Sequence, residues 1–365
     1  MSASEPQRYA IFDKKSVYSR SMSQILDTIN NPSDIKRLNM NQLRQLCAEI
    51  RSYMVEVCAD NPGHLASSLG AVELIVGVHY VFDTPNDKFV IDVGHQAYAH
   101  KILTDRREAF RTLRKKGGIS GFPCMEESKW DAFGVGHSST SISAALGFAE
   151  AARIMGSGAK SVALIGDGAL SGGLAYEAMN NAGVSKSDLL ILLNDNNQSI
   201  DKAVGGVHKY LLRITTSSNY NTFKNKAWNA LGDNGFRNFL QRWVRSIKSW
   251  LVKSRGGDLF EAIGLRYFGP IDGNDIEQVV HTLKKLKDIK GARVLHCITG
   301  KGKGYAPAEQ NPTLWHAPGR FDLQTGQIKT VKHDVPRYQD VFGKVLCELA
   351  ENDSRIVGIT PAMSS

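Results

Sequence analysis

VALIGDGALSGG, residues 162–173, is an apolar run that breaks into a glycine turn around one acid, Asp167. LAYEAMNNAG follows at once and reads as a helix, so the unit is strand, glycine turn, helix N-terminus. Such a turn binds anions, because unpaired backbone N–H groups and the helix dipole face the ligand. The dinucleotide fingerprint GxGxxG does not fit, since the third glycine falls one place late at Gly172. The acid is more telling than the spacing. A carboxylate facing a bare diphosphate in a partly buried site is repelled by several kcal/mol, and a divalent cation between them removes the conflict. Mg²⁺ suits the place: it wants six oxygens and takes one or two from side chains, the rest from phosphates and water.

Working outward, three more short apolar runs read as buried strands: KFVIDVG (88–94), LLILLN (189–194) and ARVLHCIT (292–299). Helical patterns lie between them, in STSISAALGFAEAARIMG after Gly136 and in DIEQVVHTLKKLKDIKG, whose Ile276, Val279, Val280, Leu283 and Leu286 share one face. Strands alternating with helices predict the α/β class, a parallel sheet flanked by helices with ligands at the carboxyl ends of the strands. The strand after the glycine turn ends in Asn194-Asp195-Asn196-Asn197-Gln198, and Asn196 lies 29 residues beyond Asp167, about one strand–helix–strand step. Asn196 can offer its amide oxygen and Gln198 its backbone carbonyl to the same cation.

Composition sets the limits. At 365 residues and 42% hydrophobic content the chain can bury a sizeable core, with room for roughly two domains. Cys47, Cys58, Cys124, Cys297 and Cys347 are scattered without metal-ligand spacing, which predicts reduced thiols and neither a disulfide framework nor a zinc site. The N-terminal stretch has no signal-like apolar core and carries Glu5 and Asp13, so the expectation is a cytoplasmic protein. The net charge of +9 sits in one segment, Lys209 to Arg255, with ten Lys or Arg and one acid. Within it FRNFLQRWVRSIKSWLV predicts an amphipathic helix over 236–251, read as an element packed on its own domain with a solvated basic face. RITTSSNYNTFKNK before it reads as a loop, and about 200–255 as a mobile basic segment. After His333 the pattern restarts: YQDVFGKVLCELAEND predicts a helix with Val341, Phe342, Val345, Leu346 and Leu349 inward, and RIVGIT a strand. One helix and one strand cannot bury a core, so the expected division is 1–335 as the diphosphate- and Mg²⁺-binding domain and 336–365 as the start of a second one.

GDG followed about thirty residues later by a strand and an asparagine pair resembles the motif of the transketolase-like thiamine diphosphate enzymes. HLASSLGAVEL (64–74), DVGHQAY (92–98), GGISGFP (117–123), GHSSTSISAALG (136–147), IGDGALSGGLAYEAMNNAG (165–183), YFGPIDG (267–273) and KGKGYAPAE (301–309) are similar, in order, to blocks of the 1-deoxy-D-xylulose-5-phosphate synthase family. The resemblance spans nearly the whole chain. It implies that Asp167, Asn196 and the carbonyl of Gln198 hold Mg²⁺ and that Gly168 and Ala169 lie against the diphosphate. The family commonly has Met where Gln198 stands, a change that a backbone ligand tolerates. Gly136, His137 and Ser138 would contact the cofactor from what reads as a strand-to-helix turn; Ser138 or Ser139 can equally be the N-cap of the next helix. His95 would serve the cofactor or an intermediate, and His64 would stand beside the substrate as donor or proton shuttle. Tyr305 would contact the cofactor, with Lys301 and Lys303 near enough to attract phosphate. His316 matches a family histidine, with Ala317 where the family commonly has glycine.

The implied fold is the thiamine diphosphate-binding, transketolase-like one. The implied reaction joins pyruvate to glyceraldehyde 3-phosphate with loss of CO₂, giving 1-deoxy-D-xylulose 5-phosphate, a precursor of isoprenoids, thiamine and pyridoxal. A homodimer is implied for the full-length enzyme, with no nucleic-acid and no membrane partner. Family members also use a glutamate from the second domain, and the chain stops before the matching stretch, so the expectation is a fragment inactive alone. Two other readings remain: a different transketolase-like enzyme or subunit completed by a partner chain, and a polyanion-binding protein driven by the basic helix.

Overall fold

The computed structural model describes residues 25–196, 206–215, 258–329 and 335–359. Five strands, β1 (Lys88–Ile91), β2 (Ser161–Gly166), β3 (Leu189–Asp195), β4 (Arg266–Asp272) and β5 (Arg293–Ile298), form one sheet in the order β1-β2-β3-β5-β4. Every pairing is parallel. The four runs picked out as buried strands are therefore strands. Their lack of polar alternation has a direct cause: both faces of the sheet are covered.

Alternate residues feed two cores. Phe89, Ile91, Val162, Leu164, Leu190, Leu192 and Leu295 point into one, with the helices Met40–Asp60, Val72–Val81 and Ile276–Lys287 packed on that face. Val90, Ala163, Ile165, Leu189, Ile191, Leu193 and Val294 point into the other, against Ser141–Met155 and Gly173–Val184. The Ile276–Lys287 face is buried as its spacing predicts, and Asp275 caps its start by accepting the N–H groups of Glu277 and Gln278.

Three expectations need correction, and one strand was not foreseen. The sequence shows β4 only as the family-like block YFGPIDG, because Gly269-Pro270 interrupts its pattern; it is an edge strand whose register shifts between Phe268 and Ile271, a place where a proline is tolerated. Part of the supposed loop and mobile segment is ordered: Gly206–Thr215 is a helix, with Leu211 buried in the second core. The amphipathic helix expected over 236–251 lies outside the described residues. At the C-terminal end the helix Tyr338–Asn352 forms, but none of its residues is buried, and Phe342 is 69% exposed. Residues 355–359 make no strand. Both differences share one reason: among the described residues this segment has no sheet edge or apolar face to pack against.

Candidate functional site

The parallel sheet sends its loops to one edge, and the residues singled out in the sequence gather there. β1 leads to His95, β2 to Asp167, β3 to Asn196 and β5 to Lys301. Gly166 pairs with Asn194, which sets the ends of β2 and β3 side by side, and the Asp167 N–H donates to the Asn194 carbonyl at 3.2 Å. The Asp167 side chain is buried, and its Oδ2 has no hydrogen-bond partner among the described residues. Burial and the nearby Asp195 charge push its pKa up to about 7, while the backbone N–H groups of Gly168 and Asn196 oppose the rise.

A buried, unpartnered carboxylate oxygen with a second carboxylate behind it calls for a cation. Hard oxygen donors, the Asp167 carboxylate and the Asn196 amide, suit Mg²⁺. No three His, Cys, Asp or Glu converge as a metal cage among the described residues, so further donors there would be amide, carbonyl or phosphate oxygens. Gln198 lies outside the described residues. Gly168 and Ala169 form the turn, and the helix Gly173–Val184 starts at Gly172 with no side-chain cap, leaving its first N–H groups to a ligand.

Gly136, His137 and Ser138 are exposed, and what precedes them is an irregular loop rather than the strand expected. Neither Ser138 nor Ser139 caps the next helix by its side chain. Asp92, at the end of β1, does so from a distance: its carboxylate accepts the N–H groups of Ser139 at 2.8 Å and Ser141 at 2.9 Å. Ser139 adopts φ 72° and donates its hydroxyl to the Ala169 carbonyl at 2.7 Å, which ties the 136–139 turn to the glycine turn. The DVGHQAY block thus supplies a scaffold carboxylate beside His95, a role that its sequence does not advertise.

The three histidines form one cluster. Ring centroids are 6.1 Å apart for His64 and His95, 5.4 Å for His64 and His316, and 5.9 Å for His95 and His316. His316 Nδ1 lies 3.0 Å from the Ser67 hydroxyl, and Nδ1 of both His64 and His95 is buried without a partner among the described residues. Burial lowers all three pKa values: His95 to about 3, helped by His316, His64 and Lys301; His64 to about 4, helped by Arg114; His316 to about 4, helped by Lys301 and His64. Near neutral pH they are uncharged imidazoles, each able to donate one N–H and accept at the other nitrogen. The buried Lys301 ammonium feels both this cluster and Asp167, so it links the histidines to the cation end.

The helix Leu65–Gly70, from the HLASSLG block, is the floor that assembles the cluster. Its Ala66 N–H donates to the Trp315 carbonyl, its Ala66 carbonyl accepts from Gly302, and Ser68 donates to the His95 carbonyl at 2.9 Å. Tyr305 has the surroundings of a core aromatic, its ring 5.0 Å from Trp315 and 6.0 Å from Phe321.

Opposite the floor, Phe122 lies 5.6 Å from His64. A buried charge clamp holds its turn: Glu127 accepts the Ser120 N–H at 2.5 Å and Asp131 the Cys124 N–H at 2.7 Å. Lys101 pairs with Glu127, and Arg106 grips Asp131 through two bonds of 2.7 Å. Burial alone would raise the Asp131 pKa, but Arg106 and His100 hold it well below the ordinary carboxylate value. The sequence reading missed this clamp, since alternating charges on a loop look like a solvated surface.

The fold is that of the transketolase-like class. The chain superposes on transketolase from Campylobacter jejuni with a TM-score of 0.55 at 20% identity, covering 76% of this chain and 40% of that one. With Leishmania mexicana transketolase the TM-score is 0.55 at 16% identity, covering 87% and 48%. The family follows from sequence. The model described as 1-deoxy-D-xylulose-5-phosphate synthase matches residues 26–299, and this chain belongs to that family. It is 52% identical over 348 residues to the synthase of Azobacteroides pseudotrichonymphae, covering 93% of this chain and 55% of the relative. The figure for the synthase of Porphyromonas gingivalis is 50% over 347 residues, covering 93% and 54%. The chain spans about half the length of the curated relatives it matches. No described helix is long and apolar enough to cross a membrane.

Proposed function

We propose that this chain binds thiamine diphosphate through Mg²⁺ at the glycine turn, and that the whole protein condenses pyruvate with glyceraldehyde 3-phosphate to give 1-deoxy-D-xylulose 5-phosphate and CO₂. The observation that carries the reading is the buried, unpartnered Asp167 carboxylate oxygen between β2 and β3. Asp167, Asn196 and the Gln198 carbonyl hold the cation. Gly168, Ala169 and the open helix N-terminus at Gly172 take the diphosphate, with Gly136, His137 and Ser138 beside them across the Ser139–Ala169 bond. When bound, thiamine diphosphate supplies the carbanion chemistry.

The histidines do the remaining work. Because burial keeps them neutral, His64 and His316 donate hydrogen bonds to substrate carbonyl or hydroxyl oxygens and return a proton without holding a permanent charge. His95, on the β1 loop, shields the reacting centre from water. Lys301 supplies the positive charge for an anionic group, and Tyr305 forms the aromatic wall behind its loop. Residues 1–335 make up this binding domain, and 336–365 begin a second. A homodimer in the cytoplasm completes the proposal; the exposed Ile154, Met155 and Val184 offer apolar surface for the contact.

Calorimetric titration with thiamine diphosphate tests the core. Binding by the 365-residue chain is expected to require Mg²⁺ and to weaken at least tenfold in Asp167→Ala. Binding without metal, or binding that the substitution leaves unchanged, would remove the reading.

A further inference from the structure

Behind Asp167 a line of three buried polar side chains crosses the sheet. His296 sits between the apolar Leu295 and Cys297 in β5, opposite Leu193 in the β3 register. Its Nε2 lies 2.8 Å from Asp195 Oδ2 at the end of β3, and its Nδ1 lies 2.7 Å from the Tyr267 hydroxyl on β4. His296 and Tyr267 are at most 2% exposed, and Asp195 4%. All three point to the face that packs on the helices Ser141–Met155 and Gly173–Val184, where Phe260 stacks on Tyr267 at 5.6 Å.

A carboxylate only accepts, so Nε2–H donates to Asp195; in the neutral imidazole Nδ1 is then the acceptor, and the Tyr267 O–H donates to it. Polar groups this deep in an apolar sheet are costly unless each is satisfied, and these satisfy one another. Their end product is a fixed Asp195, held at its side chain by His296 and at its carbonyl by the Thr299 N–H at 2.9 Å. Asp195 in turn places two things: its charge near Asp167, and the backbone of Asn196, whose N–H faces the Asp167 carboxylate.

We propose that His296 and Tyr267 are positioning residues for the divalent cation, orienting Asp195 and through it the Asn196 ligand opposite Asp167. The inference rests on the reading of Asp167 and Asn196 as cation ligands. It assigns to β4 and β5 a part in metal affinity, although neither touches the metal. Groups that orient the ligands of a metal commonly contribute 10–100-fold to its binding.

The test uses Mn²⁺ as a paramagnetic probe, with free Mn²⁺ read by electron paramagnetic resonance in the presence of thiamine diphosphate and blanked without protein. His296→Leu is expected to weaken Mn²⁺ binding about 10–100-fold. Tyr267→Phe keeps the stacked ring and the fold, and should weaken binding in the same direction by less. His79→Leu is the control for a merely structural effect: that imidazole is equally buried, bonded to Thr84 and His100 in a separate network. It should lower the melting temperature comparably and leave Mn²⁺ affinity unchanged. If His296→Leu does not fold, Tyr267→Phe and His79→Leu decide the matter. Wild-type affinity in the folded β4 and β5 variants, with Asp167→Ala impaired, would overturn the positioning role alone. Wild-type affinity in Asp167→Ala would overturn the cation reading and this inference with it.

Discussion

Asp167 carries a cost that its ligand is there to relieve. Its pKa in the fold, about 7, exceeds the ordinary carboxylate value, so between about pH 4 and 7 the folded chain binds more protons than the unfolded one. Stability of the cation-free protein must therefore fall as pH rises through that window, and the loss persists above it. Asp167→Asn removes the charge at nearly constant volume. Without metal or cofactor it should melt several degrees above wild type at pH 8 and level with it near pH 4; with Mg²⁺ and thiamine diphosphate the order at pH 8 should reverse. Scanning calorimetry at the two pH values checks this, and equal melting at pH 8 without metal would refute it. The histidines have the opposite sign, because their lowered pKa values favour the uncharged form and stability is lost as pH falls below about 6.5. Asp167 was legible in the sequence because an acid between two glycines is a local conflict that demands a partner. His296 was not, because one imidazole inside LHCI looks like a strand residue until the neighbouring strands are placed.

Among the connecting elements, the loop between the helices Tyr98–Leu103 and Ser141–Met155 has almost no regular structure, and charge replaces a strand or helix in holding it. Asp131 accepts from Arg106, His100 and the Cys124 backbone in a buried setting, so its removal leaves the buried Arg106 guanidinium with Glu127 as its one remaining carboxylate partner among the described residues. Asp131→Ala should cost about 3–5 kcal/mol, as loss of one partner from a buried pair does. Chemical denaturation would show it as a lower midpoint at unchanged slope, and a cost below about 1 kcal/mol, the range of an exposed pair, would place the clamp at the surface. The same scale shows what periodicity can and cannot tell. β1, β2, β3, β5 and the Ile276–Lys287 helix could be read from the sequence, because burial on one or both faces leaves a pattern. β4 and the capping of Ser141–Met155 by Asp92 could not, because an edge strand with a proline and a cap 49 residues away leave none.

For the molecule as a whole, the helix Tyr338–Asn352 stands apart: Val341, Phe342, Val345 and Leu349 are each at least 45% exposed. Deletion of residues 335–365 should shift the melting temperature by no more than about 2 °C and leave thiamine diphosphate binding unchanged, since none of the described residues 335–359 is buried. A larger shift would mean that the segment packs on the sheet domain in solution. The apolar pattern of this helix was legible, but its burial was not, because a pattern states what a face requires and not whether a partner is at hand.

The strand order has a consequence for how the chain is made. β5 enters between β3 and β4 although it is the last of the five to be synthesised. The open edge of β3, the run Leu189–Asp195, must wait for about a hundred residues before Arg293 begins to cover it, roughly 5–20 s at ordinary translation speeds. During that interval a growing chain presents an unguarded, largely apolar strand edge, the feature most prone to pairing with a neighbour. Lys301 and His316 arrive only after the edge is closed. Diphosphate binding would therefore mark a completed sheet, and any nascent chain stalled between β3 and β5 would be a substrate for chaperones before it could be one for its cofactor.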